Sequence, residues 1–241
     1  MMRVLLLVCL FLGASVAEAQ QGRASLTRAE VLEAERRLSE LGYWTGPVDG
    51  RFDPATRSAL IAFQKWEGRE LTGRLTVAEL EAMRGAVTPA PRDGNYAHVE
   101  VDVDRQVLLI VDDKERVRVL PVSTGTDKPF VYDGQTSIAY TPRGRFVIYE
   151  KGVGWEDNLP GMYYANYISG GIAIHGSHNV PAQPASHGCI RIPLFAAREV
   201  SRILKLGTIV LVYDKVSFVS AKSWVENPKL KEAALANSAL H

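Results

Sequence analysis

Residues 172–193 hold most of the side chains that could do covalent chemistry. Ile172-Ala173-Ile174-His175-Gly176-Ser177-His178 is followed, after a Pro- and Ala-rich stretch, by Ser186-His187-Gly188-Cys189-Ile190-Arg191-Ile192-Pro193. Three of the five histidines lie between 175 and 189, beside Cys189. A thiol of ordinary pKa, about 8.5, is mostly protonated at neutral pH, and the thiolate is the nucleophile. An imidazole within reach takes that proton and later returns it to a leaving amine. His175 ends an apolar, strand-like run that would hold it rigidly, and a carbonyl at Gly176 or a neighbour could fix its tautomer in place of a carboxylate. Gly176 lets a neighbouring segment approach closely. Gly188 leaves room for backbone N–H groups to face a developing oxyanion. Arg191 suits a substrate carboxylate or braces the loop. The pattern reads as cysteine acyl transfer.

Two other readings compete at this level. Zinc accepts His and Cys ligands, but the spacing of His175, His178, His187 and Cys189 fits no helix or knuckle signature, and the run has no carboxylate base. No metal and no cofactor is expected. The plain alternative makes Cys189 a buried small hydrophobe and the histidines surface residues.

Cysteine usage sharpens the first reading. Met1-Met2-Arg3, the apolar run Val4–Leu12 and Ala17-Glu18-Ala19 have the order of a secretory signal peptide over 1–19, cut after Ala19. That apolar run is too short to cross a bilayer. Of the two cysteines, Cys9 would leave with the signal, so Cys189 would have no disulfide partner. The expected location is outside the cytoplasm, periplasmic or wall-associated, with no membrane span. The 241 residues, 46% hydrophobic with a formal charge of +1, suit one large or two modest domains and lack the basic field of a nucleic-acid binder.

The elements that must position these groups divide the chain. Residues 25–86 read as three helices. Ala29, Leu32, Ala34, Leu38 and Leu41 recur at helical spacing, Ser25 or Thr27 caps the first helix, and Thr27 with Glu30 has capping-box spacing. Gly42 stops that helix, Asp53 caps a second with Pro54 at its first position, and a third runs over Thr76–Met83. Residues 87–95 read as a linker, rich in Pro and Gly. Strands are expected at 98–104, 107–111, 116–122, 145–149 and 208–213, with one helix over 194–206. The fold class is α+β multidomain: a small three-helix domain, then a mainly β domain over 96–214. Residues 215–241 form a tail to which no function is assigned.

Two resemblances follow from named motifs. Leu41-Gly42-Tyr43, Gly46-Pro47-Val48-Asp49-Gly50, Pro54-Ala55-Thr56-Arg57 and Ala62-Phe63-Gln64 resemble the peptidoglycan-binding type 1 domain. His175-Gly176 and Ser186-His187-Gly188-Cys189-Ile190-Arg191, with Val122-Ser123-Thr124-Gly125 and Thr141-Pro142-Arg143-Gly144-Arg145-Phe146 upstream, resemble the L,D-transpeptidase catalytic domain, the YkuD family. The second resemblance implies a YkuD-like β-sandwich acting on peptidoglycan stem peptides. Cys189 would attack the carbonyl of a stem's third residue and release the terminal D-alanine, with His175 as base and then acid. The amine of another stem would discharge the thioester as a 3→3 cross-link; a free D-amino acid or a protein lysine could replace it. Water would make the enzyme a carboxypeptidase or amidase on the same dyad, and the sequence leaves that alternative open. The resemblance also implies acylation of Cys189 by carbapenems, and pocket positions at His187 and Arg191. Ser186 would brace the loop, and His178 lies outside the motif.

Overall fold

The computed structural model describes residues 26–132, 134–157 and 161–217. The expected signal peptide at 1–19 and most of the 215–241 tail lie outside those residues.

Three helices open the described chain: α1 (Arg28–Glu40), α2 (Pro54–Trp66) and α3 (Val77–Gly85). Their starts follow from local hydrogen bonding. Thr27 and Glu30 form a reciprocal capping box on α1. Asp53 accepts from the Thr56 N–H ahead of Pro54 on α2, and Thr76 caps α3. Gly42, at φ +89°, turns the chain out of α1.

Eleven strands and one helix follow among the described residues. A five-stranded sheet has the order β3-β2-β1-β11-β6, built from β1 (His98–Asp102), β2 (Val107–Val111), β3 (Val117–Pro121), β6 (Gly144–Val147) and β11 (Ile209–Tyr213). A four-stranded sheet has the order β10-β9-β8-β7, built from β7 (Glu150–Lys151), β8 (Tyr163–Ser169), β9 (Ile172–Ser177) and β10 (Ile190–Pro193). β4 (Pro129–Tyr132) and β5 (Gln135–Ile138) form a separate hairpin, and α4 (Leu194–Ile203) follows β10 directly. The main core joins Val99, Val101, Leu108 and Val210 of the first sheet to Ile168, Ile174, Ile190 and Ile192 of the second, with Ala196, Ala197 and Val200 of α4 closing it. This is the expected sandwich.

The other face of the first sheet is covered as well. Val107, Leu109 and Val119 share a second core with Leu38, Leu60 and Phe63 of the helices and with Leu41 and Tyr43 just after α1. That explains why β2 reads as an unbroken apolar run: both faces are buried. Backbone bonds from Trp44 N–H to the Val119 carbonyl (3.0 Å) and from Val119 N–H to the Gly42 carbonyl (2.8 Å) stitch the two parts together. A side chain on Gly42 would meet the Val117 carbonyl at 2.4 Å, so the approach requires glycine.

The segment that composition marks as a linker is also held. The N–H groups of Arg92 and Asp93 donate to the Glu100 carboxylate at 3.0 and 2.8 Å. Glu100 also accepts from the Tyr213 hydroxyl at 2.8 Å and lies 3.1 Å from His98 Nε2. The strict alternation of β1 predicts a solvent-facing polar side, yet His98, Glu100 and Asp102 are all buried. The strap satisfies Glu100 internally.

Candidate functional site

His175 lies on β9, and Cys189 immediately precedes β10, its parallel neighbour. β10 pairs with β9 so that Arg191 lies opposite His175 and Ile190 opposite Ile174. Ile174, Ile190 and Ile192 point into the main core. The alternate residues therefore share the opposite face, where Cys189 packs with Met162, Ala165, Tyr167 and Ala173. Cys189 and His175 are diagonal neighbours on this face, a separation of roughly 7 Å that an imidazole can bridge. α4 begins immediately after β10 and packs behind both strands, which fixes their height.

His175 is buried, and its Nδ1 lies 3.0 Å from the Gly176 carbonyl. A carbonyl only accepts, so Nδ1 carries the proton and Nε2 keeps its lone pair. Burial, chiefly, and the nearby Arg191 cation push the His175 pKa down to about 4, against the opposing pull of the Gly176 carbonyl. The imidazole is thus neutral at physiological pH. Gly176 has a second duty: a side chain there would meet Ala197 Cβ at 2.4 Å and the Tyr163 carbonyl at 3.2 Å. Only glycine lets β9 lie this close to α4.

Cys189 is half-buried. Burial pushes its thiol pKa up, and the Ala173 N–H and the Arg191 cation offset this in part. Its thiol donates to the Gly171 carbonyl at 3.5 Å rather than to His175. Both the thiol and the imidazole are therefore neutral at physiological pH. The Arg191 side chain makes no hydrogen bond or ion pair among the described residues, while its backbone pairs with Ser123 in both directions at 3.1 Å. A cation without a partner beside the thiol is available to a substrate carboxylate.

The loop before the nucleophile is tied from three sides. Ser186 Oγ donates to the Cys189 carbonyl (2.6 Å) and accepts from the Gly188 N–H (3.0 Å). Thr141 Oγ1 donates to the Gly188 carbonyl (2.6 Å) and accepts from the Gly125 N–H (2.8 Å). The Thr124 carbonyl accepts the N–H groups of Ala185 and Ser186 at 3.0 and 2.9 Å. Ser186 thus ties the Gly188 N–H to the Cys189 carbonyl. Gly188 keeps its own N–H engaged with Ser186. Its contribution is steric: at φ +146°, a side chain would meet Ile172 at 2.7 Å and the Tyr140 carbonyl at 2.8 Å. The N–H groups of His187 and Cys189 have no partner among the described residues.

The His187 side chain is exposed and stacks on Phe130 of the β4–β5 hairpin, with ring centroids 4.3 Å apart and planes 4° from parallel. The hairpin therefore roofs the nucleophile loop. His178 stacks on Trp155 at 5.5 Å. Among the described residues no group of three or more His, Cys, Asp and Glu side chains is placed to hold a metal ion. Sequence reasoning gave no role to Thr141, Phe130 or Tyr167. Thr141 sits in a quoted motif, but nothing local marks its hydroxyl as a bridge between segments 125 and 188.

The family described as the L,D-transpeptidase catalytic domain matches residues 96–212, and that described as a peptidoglycan binding domain matches 27–83. No curated protein matches the chain. Among solved structures, the L,D-transpeptidase (residues 123–326) from Xylanimonas cellulosilytica is 37% identical, with a TM-score of 0.71, over 76% of this chain and 93% of that one. An L,D-transpeptidase from Stackebrandtia nassauensis is 22% identical over 76% of this chain and 90% of that one, but its TM-score of 0.44 is too low to argue from. Among the described residues no helix is long and apolar enough to cross a membrane. With a 37% identical relative covered almost from end to end, and its motif residues gathered on one sheet face, the chain belongs to the L,D-transpeptidase (YkuD) family.

Proposed function

We propose that this protein is a peptidoglycan L,D-transpeptidase that forms 3→3 cross-links through a Cys189 thioester and is held at the wall by its helical part. The observation that carries the reading is the pairing of β9 with β10, which puts the thiol, a neutral imidazole and the unpartnered Arg191 on one face. His175 Nε2 takes the thiol proton as Sγ attacks the carbonyl of the stem's third residue. The C–N bond to the terminal D-alanine breaks, and the same proton passes to the departing amine. The N–H groups of Cys189 and His187 would receive the oxyanion. Arg191 attracts the stem's carboxylate. An amine from a second stem then attacks the thioester, loses a proton to His175 and releases the thiol. The expected export signal and the wall-binding part serve one purpose: they raise the local concentration of stems.

Mass spectrometry of purified disaccharide-tetrapeptide after incubation with the enzyme tests this. Dimers lacking one D-alanine are expected. Tripeptide monomers alone would establish the hydrolase instead. Cys189→Ala should abolish both products and the mass increase of carbapenem acylation; residual turnover in that variant would remove Cys189 from the mechanism.

A further inference from the structure

The helical part reaches the nucleophile loop through one buried side chain. Lys65, in the last turn of α2, is 6% exposed. Its Nζ donates to the Gln106 carbonyl at 3.0 Å and to the Val122 carbonyl at 2.8 Å. Both acceptors belong to the β domain. Gln106 closes the β1–β2 turn in a left-handed conformation, φ +57°, and its carbonyl also accepts the Val122 N–H at 2.9 Å. Lys65 therefore clamps the end of β3, where the chain leaves the first sheet.

From that clamp two short paths lead to Cys189. Ser123, the next residue after Val122, pairs with Arg191 through both its N–H and its carbonyl at 3.1 Å, two residues beyond the nucleophile. Gln106 also grips Thr124: its Nε2 donates to Thr124 Oγ1 at 2.7 Å, and its Oε1 accepts the Thr124 N–H at 2.9 Å. Thr124 in turn receives Ser186 N–H at 2.9 Å, and Ser186 Oγ holds the Cys189 carbonyl at 2.6 Å. Every member of this second path is buried: Lys65, Gln106, Thr124 and Ser186 expose 6%, 4%, 0% and 1%. A chain of buried, satisfied hydrogen bonds has little freedom to adjust, so a shift at one end is felt at the other.

We infer that Lys65 is a positioning residue for the Cys189 loop, so that the wall-binding helices complete the catalytic unit rather than merely tether it. The ammonium is not placed there for stability alone. Burial lowers its pKa to about 7, so an apolar side chain would fill the site with less desolvation cost. The lysine instead supplies the two donors that the Gln106 and Val122 carbonyls need.

This inference rests on Cys189 as the nucleophile, and the test separates the two. In the full chain, Lys65→Met keeps length and apolar contact but removes both donors. Gln106→Met keeps Lys65 and both of its acceptor carbonyls but removes the two side-chain bonds to Thr124, one step further on. Two readouts are taken on variants whose circular dichroism and melting show a folded protein at assay temperature. The first is the pH midpoint of Cys189 alkylation by iodoacetamide, which needs no peptidoglycan. The second is kcat and KM on disaccharide-tetrapeptide. A loosened loop hydrates the thiol, so the alkylation midpoint should fall towards the ordinary thiol value. Meanwhile kcat should drop roughly tenfold or more with KM little changed, because displacement of a reacting group by a fraction of an ångström costs rate rather than affinity. If Lys65→Met does not fold, Gln106→Met alone decides. Folded variants with wild-type midpoint and kcat would overturn the inference. A wild-type enzyme without turnover on stems would overturn the proposed function, while the alkylation midpoint would still decide the positioning role.

Discussion

At the scale of single residues, the proposed dyad is set by burial more than by charge pairing. His175 has a pKa of about 4 because the folded protein keeps its imidazole away from water. As the proposed base, His175 would stay competent across the range where an ordinary histidine is already protonated. The acid limb of kcat/KM should lie near pH 4, not near 6.5, since that limb reports the free enzyme's essential base. Arg191 depresses the same group through space, so Arg191→Gln should move the limb upward while weakening substrate binding. A pH–rate profile of both proteins measures this; an acid limb at 6.5 in the wild type would mean that His175 is solvated in the working enzyme. The same shift has a consequence for stability. Between pH 6.5 and 4 the unfolded chain binds a proton that folded His175 refuses, so acidification through that window destabilises the fold.

At the scale of elements, local signals were legible and non-local ones were not. Helix starts at Thr27, Asp53 and Thr76, the stop at Gly42 and strand β2 all follow from neighbours within a few residues. Cys189, His175 and the bracing Ser186 were legible because their motifs are compact. The β4–β5 hairpin and the seven-residue β8 went unread. β4 and β5 pair with each other and with no other strand, so neither needs an apolar stripe, and the Tyr-rich β8 has bulges that break its alternation. Thr141 belongs to the same class: its importance lies in touching Gly125 and Gly188, 16 and 47 residues away in sequence. Thr141→Val preserves its shape and leaves a buried N–H and a buried carbonyl each without this partner. It should cost about 2 kcal/mol in urea unfolding and lower kcat more than it changes KM. An unchanged midpoint would show that water or a backbone shift replaces the hydroxyl.

At the scale of the whole molecule, the helical and β parts behave as one body although they match separate families. Their shared core places Phe63, Leu60 and Leu38 against Leu109, Val107 and Val119, and Tyr43 packs edge-on to Phe63 with ring centroids 5.7 Å apart. Removing the helices would expose the outer face of the five-stranded sheet, an apolar surface that a soluble β domain does not leave open. Two domains joined by a flexible linker melt in two steps, whereas two halves of one core melt together. The full chain should therefore show a single calorimetric transition, with van't Hoff and calorimetric enthalpies in agreement. Leu109→Ala should lower the melting of both parts together, at a cost of about 2–5 kcal/mol for a cavity in a filled core. Helical and near-ultraviolet circular dichroism signals followed through the same melt distinguish the cases. If the helical signal of Leu109→Ala melts apart from the tertiary signal, the helices are a tether. If the two signals coincide and shift together, the helical part and the thiol are rigidly related, and under the proposed function the docked helices fix the orientation in which a stem reaches Cys189.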